Sequence, residues 1–212
     1  MTGQDAALPG ADRSVLYQKA TLLRAAGYGA LGAIATLVVA GVALGVYFSD
    51  TEGMAIFGPI NDVTAAATLM LMMPAVAVLH RLVRGSQPAW FRYLAVVAIA
   101  GMAVAAAGLL LLVVGVIDLQ GSFVVGGIGI LPFLVWVVVT GYLSLRGRLL
   151  SRTLGAWITA FMALTLVAIA AGPFVPMQLL TFTLFPLLSV ALGGWLYVLG
   201  RDLLRESAVG EG

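Results

Sequence analysis

The chain has 212 residues, 62% of them hydrophobic and 9% charged, with a mean hydropathy of +1.10. Soluble domains run at about 45–50% apolar and about 25% charged, so this composition excludes a water-soluble globular domain, and its apolar richness excludes a disordered chain. A formal charge of +2 is too small for a nucleic-acid footprint, which leaves an integral membrane protein.

Residues 1–24 read as a cytoplasmic N-terminal segment. They carry Asp5, Asp12, Arg13, Lys19 and Arg24 with no apolar core ahead of Arg24, so no cleaved leader is expected and the first span is retained. Asp12 to Arg24 predicts a short amphipathic helix. Val15, Leu16, Ala20, Leu22 and Leu23 form its apolar face, Arg13, Lys19 and Arg24 its polar side, and Asp12 or Ser14 its cap. It serves as a lead-in to the first span or, alternatively, as a specific lipid or partner site.

Beyond Arg24, residues 25–49, 63–79, 93–117, 119–145 and 153–200 carry no charge. About 20 apolar residues cross a hydrocarbon core of ~30 Å. The second stretch spans from Ile60 to Val83 if His80 and Arg81 reach toward the headgroups. Asn61 then caps that helix, and Asp62 sits at its positive end. The last stretch is long enough for two helices, divided by Gly172-Pro173-Phe174-Val175-Pro176, where the prolines remove donors. The prediction is all-α: six spans over roughly 25–49, 61–83, 91–117, 122–146, 153–172 and 177–200, with residues 201–212 as a cytoplasmic tail, frayed beyond Arg205. Barrel strands would alternate apolar and polar residues, and these runs do not.

Six spans place all 11 Lys and Arg residues in the N-terminus, the second and fourth loops and the C-terminus, while Asp50, Glu52, Asp62 and Asp118 fall on the other side. That split puts both termini in the cytoplasm. An internal repeat is also suggested. Gly141-Tyr142-Leu143 through Arg152 aligns with Gly194-Trp195-Leu196 through Arg205, the odd helices open after Arg24, Arg92 and Arg152, and the even ones each carry one interior proline. Three parallel helical hairpins would give this pattern. So would convergence, because any helix ending at a cytoplasmic surface favours an aromatic followed by arginine.

The interior prolines Pro74, Pro132 and Pro186 free the carbonyls of Met70, Ile128 and Phe182, and in lipid a freed carbonyl needs a partner or a cavity. If the three face one axis they line a polar notch; otherwise they are ordinary kinks. Gly41 with Gly45, the cluster Gly126, Gly127 and Gly129, and the run Ala103 to Gly108 are sites of close helix packing, or a dimer seam. Asp62 with Asp118, Asp50 or Glu52 is a candidate cation site. His80 is an interfacial histidine or, alternatively, an axial ligand to a haem or chlorin. One histidine and no cysteine exclude a bis-histidine haem or a thiolate site within one copy. The deep spans hold hydroxyls such as Thr36, Thr68, Thr140, Thr159, Thr165 and Ser189 but no ionisable group, so neither proton-coupled transport nor enzyme chemistry is expected.

Gly58-Pro59-Ile60-Asn61-Asp62, the stretch Pro74 to Leu82 containing His80 and Arg81, and Gly101-Met102-Ala103-Val104 resemble a broad set of uncharacterised six-span proteins of actinobacteria and chloroflexi, grouped as a domain of unknown function. The resemblance covers residues 20–200. It implies a helical bundle in a bacterial plasma (inner) membrane and supplies no activity. The expected function is a structural, accessory-subunit or partner-binding membrane protein. Its partners would be the lipid bilayer and other membrane subunits or further copies of itself, with no nucleic acid. The alternative is a small transporter, channel or lipophilic-ligand (pigment or lipid) binder with its cavity at Pro74, Pro132 and Pro186. The sequence assigns no cofactor.

Overall fold

The structure is a computed structural model that describes residues 10–49, 54–83, 89–171, 174 and 177–209. The described residues form six α-helices and no strand: α1 Gly10–Ser49, α2 Met54–Leu79, α3 Ala89–Val113, α4 Leu119–Leu145, α5 Arg152–Ala171 and α6 Met177–Val209, with a 3₁₀ turn at His80–Leu82. Five of them are long and apolar enough to cross a membrane: those containing Gln18–Tyr47, Ile56–Leu82, Ala89–Val113, Leu119–Leu145 and Pro186–Ala208. α5 is the shorter one, apolar over Arg152–Ala168.

Three boundaries differ from the sequence reading. First, the lead-in is not a separate helix. No proline stands between Asp12 and Ser49, so α1 runs unbroken over 40 residues, about 60 Å at 1.5 Å per residue. Second, α2 begins at Met54, which places Pro59 and Asn61 inside the helix and removes Asn61 as a cap. Proline is tolerated this close to a helix start, because the first-turn N–H groups have no intrahelical partner and Pro59 forfeits about one further bond. Third, α6 continues through the expected frayed tail to Val209. Ser207 is buried there, and its Oγ donates to the Leu204 carbonyl at 2.6 Å.

Each helix packs on its chain neighbours and α6 returns onto α1, closing a ring; no other helix pair is in backbone contact among the described residues. The close contacts define antiparallel neighbours. A Cβ on Gly29 would lie 2.6 Å from the Leu71 carbonyl oxygen on α2, and one on Gly200 would lie 2.9 Å from the Gly27 oxygen on α1. A Cβ on Gly101 of α3 would collide with the Gly129 carbonyl oxygen of α4. Glycine lets these backbones touch, which favours helix association where water exclusion cannot act. The sequence reading named Gly129 correctly, but Gly45, Gly126 and Gly127 face open space and Gly41 makes only a loose contact with Ser189.

Two helices end on the same device. Gly115 at φ +72° and Gly147 at φ +67° follow α3 and α4. Behind them Val116 N–H donates to the Leu111 carbonyl and Arg148 N–H to the Leu143 carbonyl, each at 2.9 Å, the six-to-one bond of a Schellman cap, which needs a left-handed residue and therefore favours glycine. α4 starts just as locally: Asp118 caps it by accepting from Gly121 N–H at 2.7 Å.

Antiparallel packing gathers Lys19, Arg24, Arg81, Arg92, Arg146, Arg148, Arg152, Arg201 and Arg205 at one end of the ring, hereafter the basic end. The aligned aromatics of the suggested repeat sit in unlike surroundings there. Tyr142 is exposed under the Arg146 guanidinium, 5.2 Å from its ring centre, whereas Trp195 is fully buried.

Candidate functional site

Residues spaced by four lie on one face of a helix. α4 thereby directs Trp136, Thr140 and Ser144 into the ring, and all three are completely buried. Thr140 Oγ1 donates to the Trp136 carbonyl at 2.8 Å. From the far side of α5, α6 brings Trp195 against the same face: its ring centre is 6.5 Å from that of Trp136 and 6.3 Å from Phe133, while Phe133 stacks on Trp136 at 5.9 Å. Met72, Leu79, Phe91, Met102, Leu196 and Leu199 belong to the same core. The axis of the ring is thus filled by side chains in this half.

The plug also holds unmatched polarity. The indole Nε1 of both Trp136 and Trp195 and the Ser144 hydroxyl are buried without a hydrogen-bond partner. Leaving a buried donor unpaired costs about 1–3 kcal/mol. The chemistry available is donation to an acceptor such as a carbonyl; none of these groups titrates near neutrality, so the plug offers no acid or base.

A second polar cluster ties α5 to α6 at the basic end. Ser151 Oγ donates to Asp202 Oδ2 at 2.5 Å and accepts from Leu154 N–H at 3.3 Å, so one hydroxyl both caps α5 and anchors it to α6. Asp202 is buried and takes Arg201 Nη2 at 3.0 Å and Nε at 3.2 Å on its other oxygen. The sequence reading did not single out either residue. Asp202 resembles any charge in a basic tail; only the turn between α4 and α5 brings Ser151 to it.

The residues singled out from sequence do not converge. Pro74 and Pro186 are exposed on the sides of α2 and α6 opposite the buried Met72, Val76 and Leu79 and the buried Trp195 and Leu199. Pro132 is half-buried with its ring toward Gly101. The three proline rings therefore do not face one axis, the arrangement of ordinary kinks rather than of a shared notch. The reason is geometric: a proline ring facing outward disturbs no neighbouring helix.

Asp62 accepts from Asn61 Nδ2 at 3.0 Å on α2, and Asp118 caps α4, a helix that α2 does not touch. Asp50 and Glu52 lie outside the described residues, and among the described residues no three His, Cys, Asp or Glu side chains gather as metal ligands. His80 opens the 3₁₀ turn beside Arg81, its side chain half-buried. Thr36 and Thr68 do meet, Oγ1 to Oγ1 at 2.8 Å across α1 and α2.

No protein-family model, no curated protein and no solved structure matches the chain.

Proposed function

We propose that this chain is a six-span protein of a bacterial plasma membrane, with both termini in the cytoplasm, that acts as a structural, accessory or partner-binding subunit without catalytic chemistry of its own. The observation behind this reading is the aromatic plug. Trp136, Trp195 and Phe133 occupy the axis along which a solute would pass, while large apolar side chains such as Val42, Val96, Phe123, Ile128 and Val190 face outward. A filled core inside an apolar exterior suits a protein whose contacts are lipid and neighbouring subunits.

Two arguments support the sixth span. α5 has 20 residues, about 30 Å of helix, which matches a typical hydrocarbon core. It also packs between α4 and α6, so a non-spanning α5 would leave α6 pointing the wrong way for the ring. The cytoplasmic orientation rests on the gathering of arginines at one end. Three hairpins of parallel orientation, arranged in one ring, fit the suggested repeat, and kinship with the actinobacterial and chloroflexi six-span set remains part of this proposal.

The test is purification from native membrane followed by reconstitution. Defined partner subunits should co-purify, and the protein alone should move no solute across liposomes. Flux by the pure protein would overturn the reading. One observation favours a second reading, a binder of a lipophilic ligand: the three unpartnered donors on Trp136, Trp195 and Ser144. A pigment, quinone or lipid co-purifying in fixed proportion and lost in Trp195→Phe would establish it.

A further inference from the structure

At the basic end of the ring, Lys19, Leu22 and Leu23 of α1 face Val78 of α2 and Arg81 and Leu82 of the turn that follows, around an open notch of about 20 Å³. Lys19 and Arg81 stand among the cations of the basic end, and the first charge-free run begins just after Arg24, so the notch lies at the level where hydrocarbon would give way to headgroups. Its floor is aliphatic and its rim holds two exposed cations on neighbouring helices. Neither Lys19 nor Arg81 meets a carboxylate among the described residues, in contrast to Arg201 on Asp202. A space of this size admits about one water-sized group, such as a single phosphate oxygen, with the remainder of a larger molecule left outside.

We infer that this notch is a binding site for one anionic phospholipid, its phosphodiester held between Lys19 and Arg81 and its acyl chains lying against the outward apolar sides of α1 and α2. The argument is complementarity on two scales. Two unpaired cations call for an anion, and the aliphatic floor between them favours an anion that carries its own hydrocarbon over a free one. Lys19 supplies a flexible point charge and Arg81 a planar fork suited to two phosphate oxygens. Together they grip a headgroup from two helices, which fastens the start of α1 to the end of α2. The inference rests on the reading that the chain crosses a bilayer.

The experiment uses the full chain purified in a neutral detergent and titrated with phosphatidylglycerol, with phosphatidylcholine, and with inorganic phosphate, following bound lipid by native mass spectrometry and the unfolding temperature in parallel. Phosphatidylglycerol should bind and raise the unfolding temperature, and the other two should not. Lys19→Gln with Arg81→Gln should weaken phosphatidylglycerol binding by about thirtyfold. The charge-matched control Arg148→Gln with Arg205→Gln, removing two exposed cations elsewhere on the basic end, should leave it nearly unchanged. Each single variant, Lys19→Gln or Arg81→Gln, should show about a fivefold loss, so the result does not depend on the double variant folding. Equal binding by the Lys19/Arg81 and control variants would overturn the inference, as would equal stabilisation by phosphatidylcholine or by inorganic phosphate. A chain that needs no detergent would fail the membrane reading itself, whereas a detergent-extracted chain indifferent to lipid charge would fail this inference alone.

Discussion

The two halves of the ring are built from different side chains. Toward the basic end, bulk does the packing: Trp136, Trp195, Phe91, Leu79, Leu149, Leu154, Ile158, Leu199 and Leu203 are all fully buried. Among the described residues, those buried toward the opposite end are small: Ala40 and Ala43 on α1, Ala66 on α2, Ala105 and Ala106 on α3, and Ser122 on α4, while Phe123 and Val116 face outward. Interdigitated large side chains offer many dispersion contacts and few alternative arrangements. Alanine faces hold helices close with little to lock their register. The basic half is therefore the rigid half, and the described outer parts of α1 to α4 are held by less.

The largest expected effect breaks this contrast directly. Trp195→Ala empties the centre of the plug and should lower stability by about 3–5 kcal/mol. Phe123→Ala, at a site 71% exposed, should change it by about 0.5 kcal/mol or less. Denaturant titration in mixed micelles measures both, and equal costs would show that the two halves are not packed differently. Glycine gives the next test. A Cβ at Gly200 would sit 2.8 Å from Leu31 Cγ and 2.9 Å from the Gly27 oxygen, whereas one at Gly45 meets nothing within 4 Å. Gly200→Ala should destabilise by about 1–3 kcal/mol. Gly45→Ala should be neutral or stabilise, by up to about 1 kcal/mol, through helix propensity.

Those glycines also mark how far the sequence could be read. Charge-free runs and the arginines that bound them located all six helices, because apolar runs of about 20 residues or more stand out from composition alone. Helix ends were less legible. Gly147 and Gly115 look like any loop glycine until their carbonyl partners are known, and Pro59 looked like a boundary although the helix passes through it. Which glycine touches a neighbour is a property of two helices together: Gly41-xxx-Gly45 has the spacing of a packing motif, yet Gly27, Gly101 and Gly200 make the close approaches. The prolines were visible and their direction was not. Ser151 with Asp202, 51 residues apart, left no local signal at all.

That pair carries the third prediction, which sharpens the account of the rigid half. Ser151→Ala removes the bond to Asp202 and the cap on α5 together, and Asp202→Asn removes the charge that Arg201 and Ser151 share. Each should cost about 1–3 kcal/mol. Because both act on one cluster, the double variant should cost less than the sum, with a coupling of about 0.5 kcal/mol or more. Additive losses would mean that the cap, and not the link between α5 and α6, is what Ser151 contributes.

The smallest effect lies at mid-depth, where the two halves meet. Thr36 and Thr68 are 2.8 Å apart, yet Thr36 Oγ1 also lies 3.0 Å from the Ala33 carbonyl and Thr68 Oγ1 2.9 Å from the Thr64 carbonyl. Each hydroxyl has one proton. For the interhelical bond to form, one threonine must direct its proton across the seam and give up its own backbone acceptor, so forming the bond exchanges one partner for another. The net coupling between Thr36→Val and Thr68→Val in a double-mutant cycle should accordingly stay near 0.6 kcal/mol, the value typical of interhelical bonds in membranes. A coupling above about 1.7 kcal/mol would exceed that range and would mean that polar contacts, rather than the alanine and glycine faces of α1 and α2, hold the seam where bulky packing stops.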